Sequence, residues 1–305
     1  MRSMNRRDVL LMSMIAPLAA HAVAGSGRMA ASTPVASPVA APEDILIAAS
    51  EALTAPSATQ WLAVLDASEF DAGHIDPSSR VNWDELALAD TSEEGIALWE
   101  AEMRALLSAR GLAPDRPTIV YDAGSLFAAR GWWQLAYLGF PAPRVLDGGL
   151  AAWREADGDV ATEPPDIDPL EAPHVDEGVV RRELLATREE ILASLGDPNL
   201  FILDARSSGE FGDGHIPGAV NLPYTDNAIM KDANTYLPAV ELRKRYEALG
   251  MADGKRAVTY CSTGVRGAVA AFALRLAGFT DVALYAGSWN EWSADPEAPV
   301  EEGRP

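Results

Sequence analysis

A single cysteine, Cys261, stands in this chain of 305 residues, and an arginine, Arg266, follows it five positions later. Ser262-Thr263-Gly264-Val265 lies between them, and Gly267 comes directly after. With no second cysteine, an intrachain disulfide is excluded. A lone cysteine is often a small buried hydrophobe, but this one ends an apolar run, Ala257-Val258-Thr259-Tyr260, and precedes a small-residue stretch from Ala268. A loop there can turn its backbone N–H groups toward the sulfur, with a helix N-terminus behind them, and that arrangement favours an anion. Free cysteine titrates near 8.5, whereas cysteines at helix N-termini or beside cations titrate at about 3.5–7.5. A fall of two units is worth roughly 2.7 kcal/mol in favour of the thiolate. The spacing therefore predicts a nucleophile.

The elements that must carry such a loop are legible around it. Leu200-Phe201-Ile202-Leu203 and Ala257 to Tyr260 read as buried strands. Val240 to Leu249 and Ala268 to Ala277 carry apolar residues at helical spacing, and Gly278 is placed to cap the second of these. Thr187 with Glu190 matches a capping box. Alternation of strands with helices predicts an α/β fold built on a parallel sheet.

The same pattern occurs twice. Leu65-Asp66-Ala67, Phe70, Gly73-His74-Ile75 and Asn82 answer Leu203-Asp204-Ala205, Phe211, Gly214-His215-Ile216 and Asn221. Tyr121 and Tyr260, Gly139 and Gly278, and Trp153 and Trp292 are each 139 residues apart. One offset held across separate segments predicts a duplicated domain. At that offset Asp122 stands opposite Cys261 and Phe127 opposite Arg266. A carboxylate cannot act as a sulfur nucleophile, so the first copy is expected to be catalytically empty and to wall one side of the cleft.

The chain begins with Arg6-Arg7, the apolar stretch Val9 to Ala24, and a small-x-small end at Ala22-Val23-Ala24. Residues 1–24 are thus expected to be a cleavable export signal, resembling those of the bacterial twin-arginine route. Pro17 and His21 interrupt an apolar stretch already shorter than the roughly 20 residues a spanning helix needs. No stable membrane anchor is expected, and the mature protein is expected to be periplasmic or otherwise exported, and soluble. Residues 25–43, rich in Ala, Pro and Ser, read as a tether. The domains are expected at 44–158 and 179–299, with an acidic, Pro-rich linker at 159–178. A net charge of −21 argues against nucleic acid as a partner. An anionic substrate must therefore be attracted by local groups, which the Debye length of about 8 Å at physiological salt permits. The four histidines form no cluster of metal-ligand spacing, and no metal or other cofactor is expected.

Taken together, Asp204, Arg206, Glu210, Phe211, the run Gly214-His215-Ile216-Pro217-Gly218-Ala219-Val220-Asn221, the cysteine loop and Gly287-Ser288-Trp289 resemble the rhodanese (sulfurtransferase) family, in its tandem two-domain form. The resemblance covers roughly residues 45–155 and 180–295. It implies two rhodanese-like domains, each a doubly wound parallel sheet flanked by helices, with catalysis in the second. It also implies that the Cys261 thiolate takes the outer sulfur of thiosulfate, releases sulfite, and passes the sulfur from a persulfide to cyanide or a thiol. Arg266 would steer the oxyanion and compensate the persulfide charge. The Ser262 and Thr263 hydroxyls would donate hydrogen bonds or shape the turn that Gly264, Val265 and Gly267 complete. Asp204, Arg206 and Glu210 would hold the loop from behind. Trp289 would line the cleft or pack, and His74 and His215, equivalent in the repeat, would serve the fold.

Three other readings compete. Phosphatases and arsenate reductases of this fold need Cys-x5-Arg, whereas Cys261 and Arg266 are spaced Cys-x4-Arg. Mercaptopyruvate sulfurtransferases typically carry Cys-Gly-Ser-Gly-Val-Thr-Ala and a basic residue for the substrate carboxylate; Glu210 falls where such an arginine would be. A non-enzymatic persulfide carrier would load sulfur once without turnover.

Overall fold

The computed structural model describes residues 44–171 and 179–303. The expected export signal and tether, and part of the linker (172–178), lie outside the described residues. Among the described residues no helix is long and apolar enough to cross a membrane.

The first copy contains β1 (Leu46–Ile47), α1 (Ala49–Ala52), β2 (Gln60–Val64), α2 (Ala67–Ala72), β3 (Ser78–Val81), α3 (Glu93–Ala109), β4 (Thr118–Tyr121), α4 (Ala128–Tyr137), β5 (Arg144–Leu146) and α5 (Gly149–Glu155). Its strands form one parallel sheet in the order β1-β5-β4-β2-β3. The second copy contains α6 (Arg188–Ser194), β6 (Leu200–Asp204), α7 (Ser208–Gly212), β7 (Val220–Asn221), β8 (Ala228–Ile229), β9 (Thr235–Tyr236), α8 (Ala239–Ala248), β10 (Arg256–Tyr260), α9 (Val265–Leu276), β11 (Val282–Leu284) and α10 (Ser288–Ala294). Its parallel sheet runs β11-β10-β6-β7, while β8 and β9 form a separate antiparallel hairpin.

The duplication extends to strand register. Val64 pairs with Val81 and Leu203 with Val220, at the common offset. Leu46 pairs with Val145, and the counterpart of that strand in the second copy survives as one bridge between Leu185 and Leu284. Equivalent side chains also make equivalent bonds. The hydroxyls of Tyr121 and Tyr260 accept from the amides of Ile75 and Ile216, at 3.0 and 3.1 Å. His74 and His215 stack on Phe70 and Phe211, and each has Nδ1 against the carbonyl of that phenylalanine. Both histidines are structural.

Strand alternation decides what each face meets. In β2, Trp61 and Ala63 enter an outer core of the first copy, while Leu62 and Val64 enter a core shared with the second. In β10, Val258 and Tyr260 face the outer core of the second copy, whereas Ala257 enters the shared one, as does Cys261 just beyond the strand. The shared core is built around α4 and α9, where Trp132 meets Phe272 edge-on with ring centroids 4.9 Å apart. The lone cysteine therefore points toward the interface between the copies.

The segment expected to open the linker is seated on the first copy. Ala161 forms a two-way backbone bridge with His74, Asp159 accepts from Trp153 Nε1, and Leu170 donates its amide to Ser108. Residues 299–301 do the same in the second copy, through Trp292 Nε1 to Pro299 and a bridge between His215 and Glu301. Such extended tails carry no hydrophobic period, because hydrogen bonds to their main chain, from backbone amides and from the Trp153 and Trp292 indoles, help to hold them.

Candidate active site

Cys261 follows the last residue of β10, at the C-terminal end of the second sheet. Its amide donates to Ser288 Oγ at 3.2 Å, and its carbonyl accepts from the Trp289 amide at 2.9 Å. Ser288 Oγ in turn donates to the Tyr285 carbonyl at 2.8 Å. The Ser262 carbonyl accepts from the Asn290 amide. The start of α10 thus fixes the base of the cysteine loop. Ser288, held at φ 57°, is a loop anchor whose role was hidden within the Gly287-Ser288-Trp289 signature.

Two glycines make the loop possible. Gly264 precedes the helix at φ 87°, and a Cβ there would lie 2.7 Å from the Ala286 carbonyl oxygen. Gly267 lies against β10, where a Cβ would come within 3.1 Å of the Tyr260 backbone. Val265 is buried beneath the turn. The amides of residues 262–267 have no hydrogen-bond acceptor among the described residues. They form a run of unsatisfied donors between the cysteine and the first turn of α9, a ready anion site.

The first copy shows what such amides do. Asp122, opposite Cys261, accepts from the Gly124 and Ala128 amides at 2.7 Å each. Burial pushes its carboxyl up from the ordinary range, and these amide bonds work against that. Thr263 and Gly267 occupy the same offsets in the second copy. The two loops are not superimposable, since Leu126 has φ 69° where its counterpart Val265 is helical. The hairpin of the second copy closes over the first loop, with Asn234 Nδ2 donating to the Gly124 carbonyl at 2.5 Å and the Tyr236 amide to Asp147 at 2.9 Å.

Arg266 is the polar group at the mouth of the cysteine loop. Its two terminal nitrogens grip the Glu210 carboxylate at 2.9 and 2.8 Å, and Nη2 also donates to Ser262 Oγ at 2.6 Å. The Ser262 hydroxyl completes a triangle by donating to Glu210 at 3.2 Å. The arginine pair holds Glu210 well below the usual carboxylate range. The same carboxylate raises the Arg266 pKa, against burial, with Cys261 adding to the rise. Cys261 itself is 1% exposed, so a donor reaches the sulfur only when neighbouring side chains move. Thr263 is half-buried beside Ser262.

Asp204 and Arg206 are placed differently. They form a buried pair at 2.6 Å, and Arg206 Nη2 also donates to the Gly214 carbonyl at 2.7 Å. The guanidinium lies 4.5 Å from the centroid of Trp289. Trp289 is thereby used in packing, and the pair ties β6 to the region around Gly214. Glu210, which the sequence grouped with these two, stands apart from them and touches Arg266 and Ser262 directly.

The comparisons with known proteins fit this geometry. The rhodanese-like domain model matches twice, at residues 49–156 and 187–295. A probable 3-mercaptopyruvate sulfurtransferase of Pseudomonas aeruginosa is 39% identical over 222 residues, covering 67% of this chain and 74% of that protein. The thiosulfate sulfurtransferase of Azotobacter vinelandii is 32% identical over 244 residues, covering 77% and 88% respectively. That of Bos taurus is 29% identical over 282 residues, covering 83% and 93%. An anaerobic ergothioneine biosynthesis enzyme from Chlorobium limicola shares the fold, with a TM-score of 0.72 over 86% of this chain and 71% of that one, at 23% identity. The chain belongs to the rhodanese-like family and is a tandem-domain sulfurtransferase.

Proposed function

We propose that this protein moves the sulfane sulfur of thiosulfate to a thiophilic acceptor through a persulfide on Cys261. The observation that carries this reading is the loop itself: a thiol followed by six amides that find no acceptor among the described residues, with Arg266 on the same loop. The Cys261 thiolate attacks the outer sulfur of thiosulfate, the sulfur–sulfur bond breaks, and sulfite leaves with the electron pair. Cyanide or a thiolate then attacks the terminal sulfur of the persulfide and restores the Cys261 thiolate. This is two-step covalent catalysis. Arg266 meets the sulfonate oxygens of the donor, and the amides of 262–267 offset the negative charge on sulfur in both forms.

Thiosulfate is the preferred donor because the loop reads Cys261-Ser262-Thr263-Gly264-Val265-Arg266-Gly267, and position 210 lacks the basic residue that would bind the carboxylate of mercaptopyruvate. Mercaptopyruvate is the second reading, favoured by the name of the Pseudomonas aeruginosa relative. The first copy, with Asp122 in place of the cysteine, does not carry sulfur in this scheme. The domains are taken to span 44–158 and 179–299, joined through 159–178. Export by the twin-arginine machinery, cleavage after the signal and a soluble periplasmic life complete the reading, motivated by Arg6-Arg7 and the apolar stretch after them.

The test compares wild type with Cys261→Ser by intact mass after exposure to thiosulfate or mercaptopyruvate, and by steady-state kinetics with cyanide. One added sulfur on wild type, none on the variant, and parallel double-reciprocal lines are expected. Equal activity in the variant, or intersecting lines, would refute the persulfide route. More efficient turnover of mercaptopyruvate than of thiosulfate would reverse the donor assignment. Sulfur loading without turnover would mark a carrier.

A further inference from the structure

The first copy holds an arginine whose charge is unaccounted for within its own domain. Arg130 lies on α4 and is fully buried. Its Nη2 donates to the Leu86 carbonyl, and its guanidinium carbon lies 4.6 Å from the centroid of the Trp133 ring. Nε and Nη1 find no acceptor, and no carboxylate pairs with it, among the described residues. A buried cation left without a counter-charge is strongly destabilising, so a helix that keeps one there calls for a negative partner. Burial pulls the Arg130 guanidinium down to about 9, and Cys261, on the other copy, works against that fall. Geometry agrees. Phe127, just before α4, meets the Tyr224 ring with centroids 6.0 Å apart, and Ala205 ties Tyr224 to Tyr260 by backbone hydrogen bonds, so the start of α4 lies beside the end of β10, where Cys261 stands in the same interdomain core.

We infer that Arg130 is the buried counter-charge of the Cys261 thiolate and persulfide, so that the domain lacking a nucleophile supplies a positioning residue to the other's chemistry. The inference rests on Cys261 being the reactive thiol, as proposed above. It also replaces the expectation of a first copy that merely walls the cleft. The two cations play distinct parts. Arg266 is engaged by Glu210 and reaches the mouth of the site, whereas Arg130 is sealed from solvent and acts on the sulfur from the domain interface. Among the described residues Glu210 is paired with Arg266, and Asp204 with Arg206 beside Tyr260. At position 269, the counterpart of 130 on α9, the second copy has a valine, so the first copy's Asp122 receives no equivalent cation.

The measurement is the pH dependence of carboxamidomethylation of Cys261 by iodoacetamide, a neutral reagent, read by intact mass on the full chain. Wild type is compared with Arg130→Met, Arg130→Gln and Arg130→Lys, with a thermal melt to confirm folding. Loss of the charge is expected to raise the alkylation midpoint by about one unit or more. That corresponds to an approximately tenfold lower thiolate fraction at a fixed pH below the midpoint. Arg130→Lys should return the midpoint toward wild type. Should Arg130→Met not fold, Arg130→Gln, which keeps a donor for Leu86, decides together with Arg130→Lys. An unchanged midpoint in a folded, uncharged variant overturns the inference and leaves Arg130 a packing residue. So does a rise in Arg130→Lys equal to that in Arg130→Gln. Failure of wild type to take sulfur from thiosulfate would instead count against the sulfur-transfer reading, since alkylation does not depend on it.

Discussion

Glu210 serves two structures at once. It closes the capping box of α7, accepting from the Ser207 amide and hydroxyl at 3.1 and 2.7 Å, and it grips Arg266 from the other side. An incoming thiosulfate dianion must compete with this carboxylate for the guanidinium. Glu210→Gln is therefore expected to raise kcat/KM for thiosulfate about threefold to tenfold, equivalent to roughly 1 kcal/mol, as read from steady-state rates. A fall would mean that Glu210 holds Arg266 in its working orientation. The pH behaviour follows from the sign of the shift. A carboxyl held below its unfolded value contributes stability that is fully present above the ordinary carboxylate range and is lost as pH falls from that range through the depressed folded value. Between pH 5 and 9 the Glu210–Arg266 pair does not titrate, so any pH dependence of donor use there belongs to the thiol or the acceptor.

At the scale of the element, the two loops stand at equivalent places in the repeat but differ in turn and in contents. In the second copy the amides of 262–267 find no acceptor among the described residues; in the first, Asp122 accepts from those of Gly124 and Ala128. Burial raises the Asp122 pKa, so the folded state binds more protons than the unfolded chain and stability falls as pH rises from about 4 toward the folded pKa. Asp122→Asn removes that titration. Its melting temperature is expected to gain on wild type as pH rises across this window and to hold a constant difference above it, as thermal melts across pH would show. A difference that is flat throughout would mean that the loop amides fully offset the burial. Helix α9 itself was only partly legible. The apolar period begins at Ala268, but the helix starts at Val265. Its first turn carries Arg266 and Gly267, chosen for the site rather than for amphipathicity, and the left-handed Gly264 sets the start.

Across the molecule, the two copies are joined by a core that neither owns. Trp132 of α4 is 1% exposed and meets Phe272 of α9, which Tyr236 also touches at 5.0 Å between centroids. Trp132→Ala is expected to cost about 3–5 kcal/mol of stability. It should also split denaturant unfolding into two steps, as the copies cease to support one another. Intrinsic fluorescence and circular dichroism would report this. A single transition at an unchanged midpoint would show that each copy stands alone. Because Cys261 is part of this core, sulfur transfer should decline along with the interface.

The amino-acid sequence alone determined the duplication, the α/β alternation and the nucleophile loop. Those features depend on short-range regularities: alternation along strands, spacing along helices, and glycine where the backbone turns sharply. It named Glu210 but not its grip on Arg266, a residue fifty-six positions away, because both belong to local patterns that account for them separately. It singled out Asp122 as a missing nucleophile without revealing that the carboxylate satisfies its own loop. Arg130 escaped notice altogether, since nothing along a helix distinguishes an arginine bound for solvent from one turned into an interface. Only packing the copies through α4 and α9 brings its charge to bear on the thiol of the other domain, because burial and long-range charge pairing exist only once the chain is folded.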